Sequence, residues 1–252
     1  MKTNVFLKLS TLGLFACLAG MAHADTLGTT TVLATDSVYA VGTQAGNASS
    51  YGGTAPTGIA ITPGTTSITF SASTGKTVTV NGGTLNDADG VGSLSAEDNS
   101  GTSLLSGINS PTAGYIAGVF LAASGPSGTL PTALDFTGSG GTSFNSLSAS
   151  IDQVFFVGDG LTGDATGTTQ TFYVPTGATE LYLGLADACG YNGGPGCLQD
   201  NSGSFTVNYD EAGASGGGGG TPSAVPEPSS LFLLGTGILG ACGAVRRRFA
   251  DR

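Results

Sequence analysis

Short runs of alternating apolar and polar residues, separated by glycine-rich turns, dominate the middle of this 252-residue chain. Leu181, Leu183 and Leu185 are one such series, and alternation of this kind places every second side chain on the same face of a β-strand. The 44 glycines argue against long helices, because Gly costs up to about 1 kcal/mol per helix position relative to Ala. The sequence therefore predicts an all-β fold, an antiparallel β-sandwich or jelly roll.

The strands of this sandwich are predicted between clusters of turn residues. Two stretches, 82–113 and 123–150, carry few strand signals and are predicted to be long loops. Outside the two chain ends, no stretch has convincing helical periodicity. The predicted strands are Gly58–Thr62, Thr66–Ser71, Thr77–Asn81, Tyr115–Ala122, Gln153–Val157, Thr169–Val174, Glu180–Ala186 and Ser204–Tyr209.

The N-terminus has the pattern of a secretory signal peptide. Lys2 and Lys8 precede an uncharged run over residues 12–22, and the small residues Ala22 and Ala24 follow at the −3 and −1 positions. This pattern predicts a signal helix that is cleaved after Ala24, so that residues 1–24 are absent from the mature protein. The alternative is a first buried helix of the fold.

The C-terminus has three parts after a glycine-rich linker at 213–224. They are Val225-Pro226-Glu227-Pro228, an apolar stretch within 229–245, and Arg246-Arg247-Arg248. In this order and at this place, residues 225–252 resemble the PEP-CTERM sorting signal of Gram-negative envelope proteins. The resemblance implies export, transient tethering to the inner membrane by a C-terminal helix, and processing near Pro226 to Pro228 by an exosortase-type membrane protease. The alternative is a simple C-terminal anchor, with the arginines on the cytoplasmic side.

The chain between these ends contains almost no basic residue. Residues 25–228 hold sixteen acidic side chains and one lysine, Lys76, for a net charge of −15, and no arginine or histidine. Nucleic-acid binding is excluded because phosphate contacts need clustered Lys and Arg. Most nucleophile–base pairs and imidazole metal sites are excluded as well, so we predict no enzyme activity. The remaining carboxylate, amide, hydroxyl and carbonyl oxygens suit Ca²⁺; the alternative is that the acidity serves solubility.

One loop combines a cysteine pair with acidic residues. Cys189 and Cys197 enclose seven residues, and in an oxidising compartment they are predicted to form a disulfide. Asp187 follows one predicted strand, while Asp200 and Asn201 precede the next. Two carboxylates, an amide oxygen and loop carbonyls at the mouth of this loop make a plausible Ca²⁺ site. The alternative is that Asp200-Asn201-Ser202-Gly203 is simply a turn.

The same region resembles PA-IL-type bacterial lectins, through residues 176–184, Asp187 and residues 200–207, with weaker similarity at 68–72 and 114–118. The resemblance implies a galactose-binding-domain-like β-sandwich over 25–212 that binds galactose-like sugars or extracellular polysaccharide through a calcium ion. The lectins' sugar-contacting histidine has no counterpart here, and the loop is longer. The implied calcium ligands are Asp187, Asp200, Asn201, the carbonyl of Cys197 and a carbonyl near Asn81.

A second acidic segment repeats part of this motif. Residues 97–101, which begin with Glu97 and Asp98, resemble residues 200–203, and together with Asp87 and Asp89 they suggest a second metal site.

The sequence thus favours an exported, exosortase-processed protein of the cell envelope or extracellular matrix, with a calcium-binding, carbohydrate-binding sandwich. The alternative is a non-catalytic structural protein of the surface or biofilm. A glycoside hydrolase needs two carboxylates across a substrate cleft; no aromatic-rich cleft is evident and the chain has no tryptophan.

Overall fold

The computed structural model describes residues 26–73, 75–91, 96–126 and 129–213. All of them belong to one compact unit. Within these ranges, no helix is long and apolar enough to cross a membrane. The predicted signal peptide, the linker beyond Gly213, the predicted membrane segment 229–245 and the sorting signal lie outside the described residues.

Short β-strands make up most of the regular structure, which confirms the prediction of an all-β fold. A 3₁₀ helix spans Gly42–Tyr51, and two single 3₁₀ turns span Cys189–Tyr191 and Leu198–Asp200. The strands of the described residues are β1 (Thr26–Leu33), β2 (Gly58–Ala60), β3 (Ser67–Ala72), β4 (Val78–Val80), β5 (Thr84–Asn86), β6 (Glu97–Asn99), β7 (Ile108–Ser110), β8 (Ile116–Leu121), β9 (Leu134–Asp135), β10 (Ser146–Leu147), β11 (Val154–Phe156), β12 (Leu161–Gly163), β13 (Thr166–Thr169), β14 (Thr171–Tyr173), β15 (Glu180–Leu185), β16 (Asn192–Gly193) and β17 (Ser202–Ala212).

The largest sheet is organised around the eleven-residue strand β17. Its strand order is β10-β14-β3-β17-β4-β5, and β1 pairs with the opposite edge of β17. Along β17, Phe205 and Val207 are buried while Thr206 and Asn208 are exposed. This alternation explains the strand, because it directs one row of apolar side chains into the core and leaves the other row in water.

A four-stranded sheet, β11-β8-β15-β2, packs against the largest sheet and is buried on both faces. All six residues of β8 are buried. Ile116 and Phe120 contact the core shared with the largest sheet, whereas Val119 and Leu121 belong to a second core with Tyr39 and Phe136. The continuous apolar sequence of β8 is typical of a strand covered on both sides.

All eight predicted strands are present, but the predicted loops are wrong in part. The stretch 82–113 contains β5, β6 and β7, and the stretch 123–150 contains β9 and β10. Strands of two or three residues are too short for alternation to be visible in a sequence. Three of these short pairings, β10 with β14, β16 with β6 and β7 with β9, are parallel. The 3₁₀ helix at 42–51 was not predicted either, because its residues are mostly small and polar.

Candidate functional site

The loop between β15 and β17 closes on itself through a disulfide. Cys189 and Cys197 are joined, with their Cα atoms 5.1 Å apart, which confirms the predicted pairing. The loop is further held by hydrogen bonds from Gly196 N to Asp187 O (3.0 Å) and from Tyr191 N to Ala188 O (2.8 Å). A covalent ring with internal hydrogen bonds restricts the loop to few conformations, so its carbonyl groups have fixed positions.

A small cavity lies beneath this loop and brings the predicted ligand residues together. It has a volume of about 80 Å³ and is lined by nine residues. Four of them, Asn81, Asp187, Cys197 and Asp200, are predicted ligands from the end of β4, the end of β15 and the segment before β17. A cavity of this volume has room for an ion with a few waters and is too small for a sugar ring.

The fifth predicted ligand, Asn201, is not among the residues that line the cavity. Its side chain is buried. The Asn201 amide donates to Asp187 Oδ2 (2.8 Å) and to Ala34 O (3.2 Å), and its Oδ1 accepts a hydrogen bond from Asn81 N (3.3 Å). Asn201 therefore fixes Asp187 and Asn81 in place instead of directing its oxygen into the cavity.

The backbone around the cavity is strained. Asn81, Tyr191 and Cys197 all line the cavity and have positive φ angles of 48°, 65° and 65°. Within the described residues only Asp152 and Ala165 share this property among non-glycine residues. A left-handed conformation costs a residue with a Cβ roughly 1–2 kcal/mol. Such strain persists where the surrounding structure enforces it, and it is concentrated at functional sites.

Burial and a neighbouring negative charge disfavour the ionisation of Asp187. Burial raises the pKa of Asp187 to about 6; the Asn201 hydrogen bond opposes this shift, and the charge of Asp200 adds to it. Burial also raises the pKa of Tyr191, with further contributions from the charges of Asp187, Glu97 and Asp200. Lys76 is the only basic side chain between residues 25 and 228. A bound cation would offset this excess of negative charge.

The donor set of the cavity contains two carboxylates and otherwise neutral oxygens. Among the described residues, no group of three or more His, Cys, Asp or Glu side chains is arranged to hold a metal ion. The lining residues include Asp187 and Asp200, which carry carboxylates, and Asn81 and Cys197, whose carbonyls are the predicted ligands. The Cys197 carbonyl also accepts a long hydrogen bond of 3.5 Å from Asp200 N. Hard oxygen donors of this kind fit Ca²⁺ and not Zn²⁺.

Strand β6 and the residue after it hydrogen-bond to the loop. Asn99 Nδ2 donates to Asp187 O (2.9 Å), Asn192 Nδ2 donates to Asp98 Oδ2 (3.1 Å), and Ser100 N donates to Gly193 O (2.7 Å). The acidic segment 97–101, considered above as part of a second site, therefore belongs to the same site as Asp187.

Glu97, which the sequence suggested for a second metal site, lies close to Asp187 instead. Its side chain is 1% exposed, and neither carboxylate oxygen has a hydrogen bond of ordinary geometry. Burial raises the pKa of Glu97 to about 9, with a contribution from the charge of Asp187, while the nearby Ala188 N–H opposes the shift. The hydroxyls of Tyr39 and Tyr115, whose pKa values the charge of Glu97 helps to raise, are also buried without partners.

The four acids of the suggested second metal site are not brought together. Besides burial, the charge of Asp164 contributes to the raised pKa values of Asp87 and Asp89. The raised pKa of Glu97 has a contribution from a different residue, Asp187. Asp89 Oδ1 accepts a hydrogen bond from Asp159 N (2.8 Å), and burial raises the pKa of Asp89 to about 7. Asp159 in turn accepts hydrogen bonds from Leu161 N and Ala165 N, both 2.8 Å, so its carboxylate stabilises a turn.

Comparison with known proteins identifies the C-terminal segment. Residues 224–248 match the family described as the PEP-CTERM protein-sorting motif. The motif supports an exported protein with a membrane-anchored C-terminus that is processed by an exosortase. The match covers about a tenth of the chain and contains Pro226, Glu227 and Pro228 together with Arg246, Arg247 and Arg248. No curated protein and no solved structure matches the chain, so no match supports the resemblance to lectins.

Proposed function

We propose that the mature protein is a calcium-binding β-sandwich of the cell envelope or extracellular matrix, released from its C-terminal tail by an exosortase. One observation carries the proposal: residues that the sequence suggested as ligands come from three separate segments and line the same ion-sized cavity. The cavity is anionic, strained and held by a disulfide. These properties are expected of a site that is shaped before its cation binds.

Each proposed ligand contributes a particular oxygen atom to the cation. Asp187 offers Oδ1, because its Oδ2 accepts the hydrogen bond from Asn201. Asp200 is exposed and offers its carboxylate at the cavity mouth. The carbonyls of Asn81 and Cys197 add neutral oxygens, and water supplies the rest of the six to eight ligands that Ca²⁺ takes.

Calcium-dependent carbohydrate binding is the more specific form of this proposal. Four protein groups leave coordination positions that two hydroxyls of a galactose-like sugar or an extracellular polysaccharide can fill. The exposed position of Asp200 favours such access from solvent. The alternative, a structural surface or biofilm protein, uses the same ion only to stabilise the loop. The small cavity and the absence of histidine from residues 25–228 favour this alternative.

Thermal unfolding of the exported protein tests the calcium site. Ca²⁺ at about 100 times its dissociation constant adds roughly 2.7 kcal/mol by mass action. For a domain of this size the melting temperature then rises by about 5–10 °C. Mg²⁺ is expected to do less, because it demands octahedral geometry and loses its waters reluctantly. Equal melting temperatures in excess Ca²⁺ and in chelator would refute the site.

Matched variants locate the effect. Asp187→Asn and Asp200→Asn are each expected to reduce the calcium-dependent shift, because each removes one charge from the cavity. Asp135→Asn is the control, because Asp135 is exposed and its Oδ1 accepts hydrogen bonds from Thr137 N and Oγ1 in the same turn. Asp164→Asn is a poorer control, since the charge of Asp164 acts on Asp87 and Asp89.

A glycan array separates the two forms of the proposal. Binding in Ca²⁺ that is lost in chelator and in Asp187→Asn supports the lectin-like function. A calcium-stabilised protein that binds no glycan supports the structural alternative.

A further inference from the structure

Strand β1 (Thr26–Leu33) forms an edge of the largest sheet. It pairs antiparallel with β17 over its whole length, from Thr26 opposite Glu211 to Leu33 opposite Ser204. In the part of the chain that the structure describes, β17 is its only strand partner. The other side of β1 therefore presents unpaired backbone groups, as edge strands do.

The alternation of the ladder shows which groups face outward. Ala34 N donates a hydrogen bond to Gly203 O (3.0 Å), one residue beyond the last pair of the β1–β17 ladder. In an antiparallel pair, every second residue bonds to the partner strand, so the even-numbered residues of β1 bond to β17. Leu27, Thr29 and Thr31 consequently direct their N–H and C=O groups away from the sheet. The N–H of Leu33 is instead bonded to Asp36 Oδ2 (2.8 Å), and this bond ends the free edge.

The edge lacks the usual protection against pairing with another chain. Natural edge strands carry lysine, proline, inward-pointing charges or bulges. The β1 sequence, TLGTTTVL, contains no charged residue and no proline, and its pairing with β17 is continuous. Leu27 is 80% exposed and Leu33 is 44% exposed, on the same outer face as the exposed Thr29 and Thr31.

We propose that β1 binds the β1 strand of a second copy of this chain, antiparallel about a two-fold axis. The largest sheets of the two copies then become one continuous sheet. Thr29 of each copy then bonds to Thr31 of the other, which gives about four main-chain hydrogen bonds. The same register places Leu27 opposite Leu33 of the partner at both ends of the ladder, so both exposed leucines are covered. A two-fold interface of this kind is self-complementary.

The order of the outward-facing residues of β1 is the reason to choose a second copy. Leu27 and Thr29 on one side of Thr30 match Leu33 and Thr31 on the other, so the strand is complementary to itself in antiparallel pairing. Residues 25–228 carry a net charge of −15, so two copies repel each other on most of their surface. β1 offers eight consecutive residues without charge, at which two copies can approach. Two like strands also match each other in hydrogen-bonding pattern without any change of conformation.

Sedimentation velocity of the exported protein tests the proposal. We expect reversible dimerisation with a dissociation constant on the order of 10–100 μM, typical of a small interface. Thr29→Pro removes an outward N–H and is compatible with an edge strand. It also removes the solvent-exposed hydrogen bond from Thr29 Oγ1 to Asn208 Oδ1 (2.7 Å). It is expected to weaken the dimer at least tenfold while thermal unfolding of the monomer is retained.

A second variant and a control complete the test. Leu27→Glu places a charge opposite Leu33 of the partner at both ends of the ladder and is also expected to weaken the dimer at least tenfold. Leu85→Glu is the matched control, because Leu85 is 54% exposed in β5, away from this edge. A monomer at all concentrations up to about 200 μM overturns the proposal, as does a dimer that Leu27→Glu and Leu85→Glu affect equally.

Discussion

The buried carboxyl group of Glu97 makes the stability of the calcium-free protein depend on pH. In the folded protein the pKa of Glu97 is raised to about 9, with burial as the largest cause and the charge of Asp187 next. In the unfolded chain the same group has its ordinary value near 4.5. The folded state therefore holds this proton more tightly than the unfolded state.

The direction and size of the effect follow from these two values. Below about pH 4.5 both states are protonated and Glu97 costs no stability. Between about pH 4.5 and 9 the folded protein still holds the Glu97 proton, whereas the unfolded chain has released it. Each rise in pH therefore favours the unfolded state. The loss of stability is about 1.4 kcal/mol per pH unit between roughly pH 5 and pH 8. Asp187, whose pKa is raised to about 6, adds a loss in the same direction between about pH 4 and 6.

Glu97→Gln is expected to remove most of this dependence. Glutamine has nearly the shape of the protonated acid and cannot ionise, so the variant should match the native protein near pH 5 and exceed its stability by several kcal/mol at pH 8. Urea unfolding in chelator at pH 5, 6, 7 and 8 measures both slopes. Asp135→Asn, an exposed carboxyl-to-amide change, should keep the native slope. A native stability that is flat or rises over this range would refute the reasoning, as would a Glu97→Gln variant with the native slope.

Three further predictions concern the loop, the core and the tail. Replacing Cys189 and Cys197 by serine should cost about 2–3 kcal/mol of unfolding free energy, measured by urea unfolding; an unchanged midpoint contradicts this. Gly184→Ala should destabilise by about 1–3 kcal/mol, because its Cβ would lie 2.7 Å from Asp36 O, whereas Gly46→Ala, with open space, should be neutral. Intact mass of the exported protein should show an end near Pro228, and a complete C-terminus on every molecule would exclude exosortase processing.

The local part of the site could be predicted because it is encoded in a short stretch of chain. Asp187, Cys189, Cys197 and Asp200 lie within fourteen residues that connect two recognisable strands. The disulfide and an antiparallel bridge between Ala188 and Pro195 keep the two ends of this stretch close together. The structure agrees, since three of these four residues line the cavity and the cysteines are paired.

The distant part could not be predicted in the same way. β6 contacts the loop through Asn99 and Asp98, which precede it by about ninety residues. β6 itself has only three residues, and its sequence, Glu97-Asp98-Asn99, has the composition of a turn. Its strand conformation depends on pairing with β7 and β16, which no local pattern indicates.

The sequence by itself determined the kind of chemistry that this protein can perform. With one lysine and no arginine or histidine between residues 25 and 228, oxygen atoms are the main ligands available, and residues 224–248 match a recognisable sorting motif. Tertiary structure decided the role of each acid. In the folded protein Glu97 is buried beneath the loop, and Asn201 donates a hydrogen bond to Asp187. The physical reason is that burial and hydrogen bonding, which set pKa values and ligand availability, arise from strand pairings between segments far apart in the chain.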